Sequence, residues 1–363
     1  MKSARSKPVL ALVVAALLLG AWFLRRAASM EQTGWSALAG LVLAALAALP
    51  LLRAGGKRRD KTKFHPTAEP RVGQAEVDEP RPRYFPRWFS IPALGLVLLL
   101  GGWLRLSGSD WDDGHHLHPD ERFLTMVASA LEWPESLGEY LDEARSPLNP
   151  RNRGFAFYVY GTLPTTLVKA AARWTGRDGY DRIHLLGRRV SGVLETLTIL
   201  LVFLIARRLY RDDRTALLAA LFMSLAVLPI QHAHFFVADP WVCFFLALAL
   251  WALAGARREG CWRDFLLAGL FWGLALACKL SVWSFVVMFP ALGLDLLIRQ
   301  RQSLPSLAWR MGAAGAVAFV AFRLGQPDTF LGPGFLGLAP SPRWLANLGE
   351  IRGMVSGAVD FPP

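Results

Sequence analysis

The chain has 363 residues, 53% of them hydrophobic and 19% charged, with a formal net charge of +12 and a pI near 10.2. So apolar a composition excludes a disordered chain. At a mean hydropathy of +0.32 it also excludes a soluble nucleic-acid binder, so the excess of Lys and Arg needs another origin and no nucleic-acid partner is expected. The three cysteines, Cys243, Cys261 and Cys278, offer neither a CxxC pair nor an even framework, which argues against structural disulfides and thiolate metal sites.

Apolar runs of helical length predict an all-α, multi-pass transmembrane bundle. Nine segments qualify: 9–24, 35–52, 90–106, 185–206, 215–231, 240–256, 265–279, 282–298 and 311–324. The first is read as an uncleaved anchor. Trp22-Phe23-Leu24-Arg25-Arg26 is a poor approach to a cleavage site, and a second apolar helix follows at once. The 14 Trp suit interfacial belts.

Charge then sets orientation. The N-terminus and segments 53–89, 207–214, 257–264 and 299–310 together carry +14, more than the whole chain, and they are alternate connections in the nine-helix count. The positive-inside rule puts all five in the cytoplasm of a cell membrane. The expected organisation is an N-terminal hairpin (1–52), a basic Pro-rich linker (53–89), a transmembrane core (90–330) with a long outer loop (107–184), and an extracytoplasmic loop (331–363). A polybasic linker beside a membrane also suits anionic lipid, although a solvated topogenic loop explains it equally well.

The outer connections hold the unusual residues. Asp110, Asp112, Asp113, His115, His116, His118, Asp120 and Glu121 fall within twelve positions. Pro119 suits the first turn of a helix that continues through Arg122–Leu131, with Phe123, Val127, Ala130 and Leu131 on one face as an amphipathic, membrane-lying element. Asp120 and Glu121 then sit where the helix dipole favours anions, or merely begin a helix. Asp239 opens the segment after His232 and His234, Arg188 and Arg189 open 185–206, and Arg323 closes 311–324, followed by Gln326. Lys279 has apolar sequence on both sides and no polar loop to release it, so it calls for a cavity or an anion. Recessed cations suit a lipid-borne phosphate, and a carboxylate above them suits a base for an incoming hydroxyl. Carboxylate and imidazole together suit a divalent metal, with His118 and His232 or His234 as the pair to test. An ordinary interfacial role explains each lone His as well.

The order of these motifs resembles a known family. His118-Pro119-Asp120-Glu121 is followed by an amphipathic helix, Leu163-Pro164, the opening Gly187-Arg188-Arg189, Asp239, and Gly273-Leu274-Ala275-Leu276-Ala277-Cys278-Lys279. Over about 90–330 this resembles the GT-C superfamily of membrane glycosyltransferases, in the branch of protein O-mannosyltransferases and aminoarabinose transferases. The resemblance implies a polyprenyl-phosphate-linked sugar as donor, a membrane-lipid partner and inverting transfer to an acceptor that stays open. It implies that Asp120 acts as base or acceptor-positioning group, with Glu121 orienting it or joining His118, His232 and His234 at a metal. It places Lys279 on the donor phosphate and Asp239, Arg189, Arg323 and Gln326 in substrate binding. Family members carry more helices than the seven that follow the linker here, so a C-terminal truncation is expected. Two other readings compete. Glu195 and Asp295, inside helices, favour a transporter or flippase for a lipid-linked or anionic solute. The abrupt end favours an inactive scaffold.

Overall fold

The computed structural model describes residues 84–300, 302–332 and 334–358; the expected hairpin 1–52 and most of the linker lie outside the described residues. Helices α1 (Arg87–Leu106), α2 (Pro119–Ala130), α3 (Leu137–Leu141), α4 (Leu163–Thr175), α5 (Tyr180–Tyr210), α6 (Asp213–Leu225) and α7 (Val227–Ala233) come first. They are followed by α8 (Asp239–Glu259), α9 (Trp262–Leu276), α10 (Met288–Arg299), α11 (Leu304–Gly325) and α12 (Pro342–Val355). Short 3-10 turns occupy Pro150–Arg153, Leu280–Val287 and Pro327–Thr329. This is a helical, multi-pass membrane protein: among the described residues five helical stretches are long and apolar enough to span a bilayer, or six if α6 and α7 count as one bent span.

Two of the expected spans differ. The segment read as one helix over 215–231 breaks at Ala226, where α6 and α7 meet at 56°. The cause is local. Pro229 has no N–H for the carbonyl one turn earlier. The carbonyls freed at the end of α6 are taken by Arg105 of α1, which donates to Met223 O at 2.8 Å and Ser224 O at 2.9 Å. In a lipid environment such groups must be satisfied within the protein. The other is α9, which has 15 residues and extends about 22 Å, short of a full span. It nevertheless runs between the two ends of the bundle. Gly269 and Gly273 let α9 lie directly on α11, because a Cβ at either would collide with the main chain of Ala314 or Ala318.

The basic connections gather at one end. Asp213 accepts from Arg207 Nε at 2.7 Å, Ser90 Oγ at 3.0 Å and Phe85 N at 3.0 Å. Arg208 meets Glu259 and Asp264, Arg257 meets Asp295, and Arg310 donates to the carbonyl of Gly260. The opposite end is formed by 107–162, the starts of α5 and α8, residues 277–279 and the 326–347 region. There α2 leaves the expected membrane-lying position. Leu124, Val127 and Ala128 are buried in a cluster with Val168 of α4 and Ile183 of α5, while Phe123 is half-buried. The segment 331–363, expected as a plain loop, contains α12, whose Asn347 bonds to Arg151 Nε at 2.9 Å and to Tyr158 N at 3.2 Å.

Candidate active site

Asp120 and Glu121 are neighbours with different surroundings. Pro119 starts α2, and the ring of its N-cap residue His118 accepts from Glu121 N at 3.4 Å. Glu121 points inward and is fully buried. Its two oxygens accept from Arg188 at 2.8 and 2.5 Å, and Oε1 also accepts from Phe236 N at 2.7 Å. Arg188, equally buried, holds both oxygens of Asp112 at 2.9 and 2.8 Å. Those bonds from Arg188 hold the Asp112 carboxyl well below the usual carboxylate range, despite its burial. One guanidinium thus joins the 107–118 loop, the start of α2 and the head of α5. Desolvating three charges together is tolerable only because each is hydrogen-bonded to another.

Asp120, one residue earlier, is half-exposed and lies against the hydroxyl of Tyr160. Burial, and then the Asp120 charge, push the Tyr160 hydroxyl far up, so it stays protonated. The Tyr160 segment is fixed by main-chain bonds: Gly161 N donates to Cys278 O at 2.9 Å and Leu163 N to Ala277 O at 3.2 Å. A Cβ at Gly161 would overlap the Ala277 carbonyl, so only glycine allows this approach. The next residue after Cys278 is Lys279. Its Nζ meets Asp239 Oδ1 at 3.0 Å, with the two side chains 36% and 34% exposed. Asp239 also acts electrostatically on Tyr160. Asp120, Tyr160, Asp239 and Lys279 therefore form one group, open to solvent, above the buried Arg188 network.

The other sequence-singled residues are placed differently. Arg323 is fully buried, and its guanidinium donates to the carbonyls of Pro327, Leu141 and Gly334. It fastens the turn that follows Gln326, with its Nε buried and unpartnered. Gln326 is buried with its Oε1 unpartnered, in a small cleft with Tyr158, Tyr160, Leu280, Trp344 and Asn347. Arg189 is half-buried, with Asp110 and Arg177 as its charged neighbours, and takes no part in the Arg188 network. Glu195, within α5, has Arg105 of α1 as its charged neighbour.

The expected metal set is not brought together. Both Glu121 oxygens are occupied, the His118 ring lies against Phe235, and His234 uses one nitrogen on Ile230 O and the other on Ser107 O, both at 2.8 Å. His232 sits half-buried in the last turn of α7. Sequence reasoning did not find Tyr160 or the buried pair of Arg151 with Asp328 at 2.6 Å, which Thr162 joins at 3.2 Å. Neither has a local signal, since each partner lies on a distant part of the chain.

Residues 186–324 match a family model described as dolichyl-phosphate-mannose-protein mannosyltransferase. Over 93 residues the chain is 39% identical to the undecaprenyl phosphate-alpha-4-amino-4-deoxy-L-arabinose arabinosyl transferase of Pseudomonas aeruginosa strain UCBPP-PA14, and equally to that of Pseudomonas paraeruginosa strain PA7. Those matches cover 25% of this chain and 17% of each relative, so they span about a sixth of the relatives' length. A solved structure, the S. cerevisiae protein O-mannosyltransferase Pmt1-Pmt2 complex bound to the sugar donor, aligns with a TM-score of 0.49 at 17% identity, over 67% of this chain and 34% of that one. The chain is similar to GT-C membrane glycosyltransferases of the O-mannosyltransferase and aminoarabinose-transferase branch.

Proposed function

We propose that the protein is a membrane glycosyltransferase that moves a sugar from a polyprenyl-phosphate donor to an acceptor hydroxyl. The observation that carries this reading is the convergence of Asp120 and the Lys279–Asp239 pair on Tyr160. Lys279 is accessible and held by a single half-exposed carboxylate, so a lipid phosphate can take Asp239's place on the ammonium. Asp120, oriented by the Tyr160 hydroxyl, accepts the proton of the acceptor hydroxyl or aligns it. The acceptor oxygen bonds to the anomeric carbon as the carbon–phosphate oxygen bond breaks, and the lipid phosphate leaves with the electron pair. A single displacement of this kind inverts the anomeric carbon.

The remaining substrate-binding residues have more specific parts. The Gln326 carbonyl is buried and unpartnered beside a water-sized cleft at Tyr160, and suits a single ordered water as donor between it and the site. Arg323 acts on that cleft by holding the turn that follows Gln326. Arg189 faces Asp110, at the rim of the site. The positive-inside rule supports a cytoplasmic basic end and hence an extracytoplasmic Asp120.

The test is transfer of labelled sugar from a polyprenyl-phosphate donor by the purified full chain. Asp120→Asn is expected to lower the rate by about 10²–10⁴-fold, and undiminished transfer overturns its role. The anomeric configuration of the product tests inversion. The residues that favoured transport sit apart: Glu195 lies near Arg105, while Asp295 pairs with Arg257 and Arg299 at the basic end.

A further inference from the structure

Residues 155–162, which carry Tyr160, belong to no helix or strand, so no regular ladder of bonds fixes their path. One guanidinium imposes it from outside. Arg151 donates through Nη1 to Asp328 Oδ2 at 2.6 Å, through Nε to Asn347 Oδ1 at 2.9 Å and through Nη2 to Tyr158 O at 3.1 Å. Asn347 of α12 returns to the same segment, accepting from Tyr158 N at 3.2 Å and donating to Ala156 O at 3.2 Å. Asp328 holds the other end, where its Oδ1 accepts from Thr162 Oγ1 at 3.2 Å. The segment is gripped two residues before Tyr160 and two residues after it, and both grips meet at Arg151. The side chains of Arg151 and Asp328 are each 2% exposed, so water does not compete for these bonds.

We propose that Arg151 is a positioning residue of the transfer site, which through Tyr158, Asn347 and Asp328 sets where Tyr160 stands beside Asp120; this inference rests on the transfer reading. The grip travels by ring packing. Tyr158 is buried, both its main-chain groups are held by the network, and its hydroxyl donates to Gly161 O at 3.2 Å. Its ring meets the Tyr160 ring edge-on, with centroids 6.1 Å apart. Phe123 of α2 lies 6.1 Å from the Tyr158 ring and 6.3 Å from the Tyr160 ring. Phe123 follows Asp120 by three residues and is therefore its neighbour on the helix surface. A displaced Tyr158 moves both the Tyr160 ring and its packing against α2. The requirement is for a guanidinium and not merely for a cation. Three separate donors leave Arg151 in fixed directions, whereas the single ammonium of a lysine can pair with Asp328 but cannot also span to Asn347 and Tyr158. Arg151 acts at a distance from the reacting atoms, and α12 enters the site's architecture through Asn347.

The experiment uses the purified full chain in detergent, with its six tyrosines replaced by 3-fluorotyrosine and read by fluorine NMR. Tyr160→Phe and Tyr210→Phe identify two of the resonances. Arg151→Lys is expected to move the Tyr160 resonance and leave that of Tyr210, exposed at the basic end, in place. Asn347→Ala removes a neutral member of the same network and is expected to move the Tyr160 resonance as well, which keeps the test open if Arg151→Lys does not fold. In the sugar-transfer assay, Arg151→Lys is expected to lower kcat by about tenfold or more with an unchanged KM for the lipid-phosphate donor. In a Tyr160→Phe background the same substitution is expected to have little further effect on kcat, because both changes remove one placement. An unmoved Tyr160 resonance in both variants overturns the proposal, as does an unchanged kcat, or a kcat loss that persists undiminished in the Tyr160→Phe background. A wild type that transfers no sugar overturns the transfer reading alone, and the fluorine resonance then decides whether Arg151 places Tyr160.

Discussion

Arg188 holds Glu121 through both carboxylate oxygens, at 2.8 and 2.5 Å, with both side chains fully buried. The residue beside Glu121, Asp120, takes no part in this grip and stays half-exposed. A fixed carboxylate next to an available one gives α2 a rigid mount for Asp120.

Breaking that mount is expected to cost stability before chemistry. Glu121→Ala leaves Arg188 buried with only Asp112, and Arg188→Ala leaves two carboxylates unpaired. Each is expected to destabilise by about 3–5 kcal/mol, read as a lowered midpoint in detergent. A loss under about 1 kcal/mol, the level of an exposed pair, would show that water reaches the network.

Asp112 makes part of this stability pH-dependent. Its folded-state carboxyl is depressed by the Arg188 bonds, so its contribution is fully present above the unfolded carboxylate value of about 3.9 and is lost as pH falls through the lower folded value. The stability gap between wild type and Asp112→Asn is therefore expected to stay constant from neutral pH to about 5 and to close only below about 4. A gap that closes near pH 6 contradicts the Arg188–Asp112 pairing.

Lys279 behaves differently because its pair is accessible. Lys279→Met is expected to raise KM for the lipid-phosphate donor by about tenfold or more, a loss of about 1.4 kcal/mol or more of binding, with little change in midpoint because a half-exposed pair adds little stability. Steady-state kinetics over a range of donor concentrations checks this, and an unchanged KM with lowered kcat would move Lys279 from binding to the reacting centre.

Gly161→Ala tests the contact between Tyr160 and the Lys279 segment. The added methyl meets the Ala277 carbonyl, so the two segments must separate. A loss of about 1–3 kcal/mol is expected together with reduced transfer, whereas Gly349→Ala on the open face of α12 is expected to be silent in both.

Orientation can be read from a native thiol. Cys261 is exposed in the α8–α9 connection at the basic end, whereas Cys278 is buried. In a Cys243→Ser background, a membrane-impermeant maleimide is expected to label Cys261 in inside-out vesicles and not in right-side-out ones. The reverse pattern overturns the assignment of the basic end to the cytoplasm.

The sequence by itself determined the helical membrane class, most span positions, the start of α2 at Pro119 and the clustering of basic connections. Each follows from runs of apolar residues, a helix-starting proline or local charge, which depend only on near neighbours in the chain. The tertiary structure alone decided which charges are free. Asp120 and Glu121 are adjacent in sequence, yet α2 turns one toward Tyr160 and the other into Arg188. Arg188 and Arg189 are equally adjacent, and the helical turn sends only the first into the carboxylate network. Arg323, placed in substrate binding by the resemblance, is buried and donates to carbonyls of the turn that follows it and of the distant Leu141. The apolar run 215–231 concealed the α6–α7 break beside Pro229, and the repair by Arg105 needed α1 to pack alongside. Partner choice among buried charges is set by desolvation and hydrogen-bond geometry across residues far apart in the chain, and no local pattern records that.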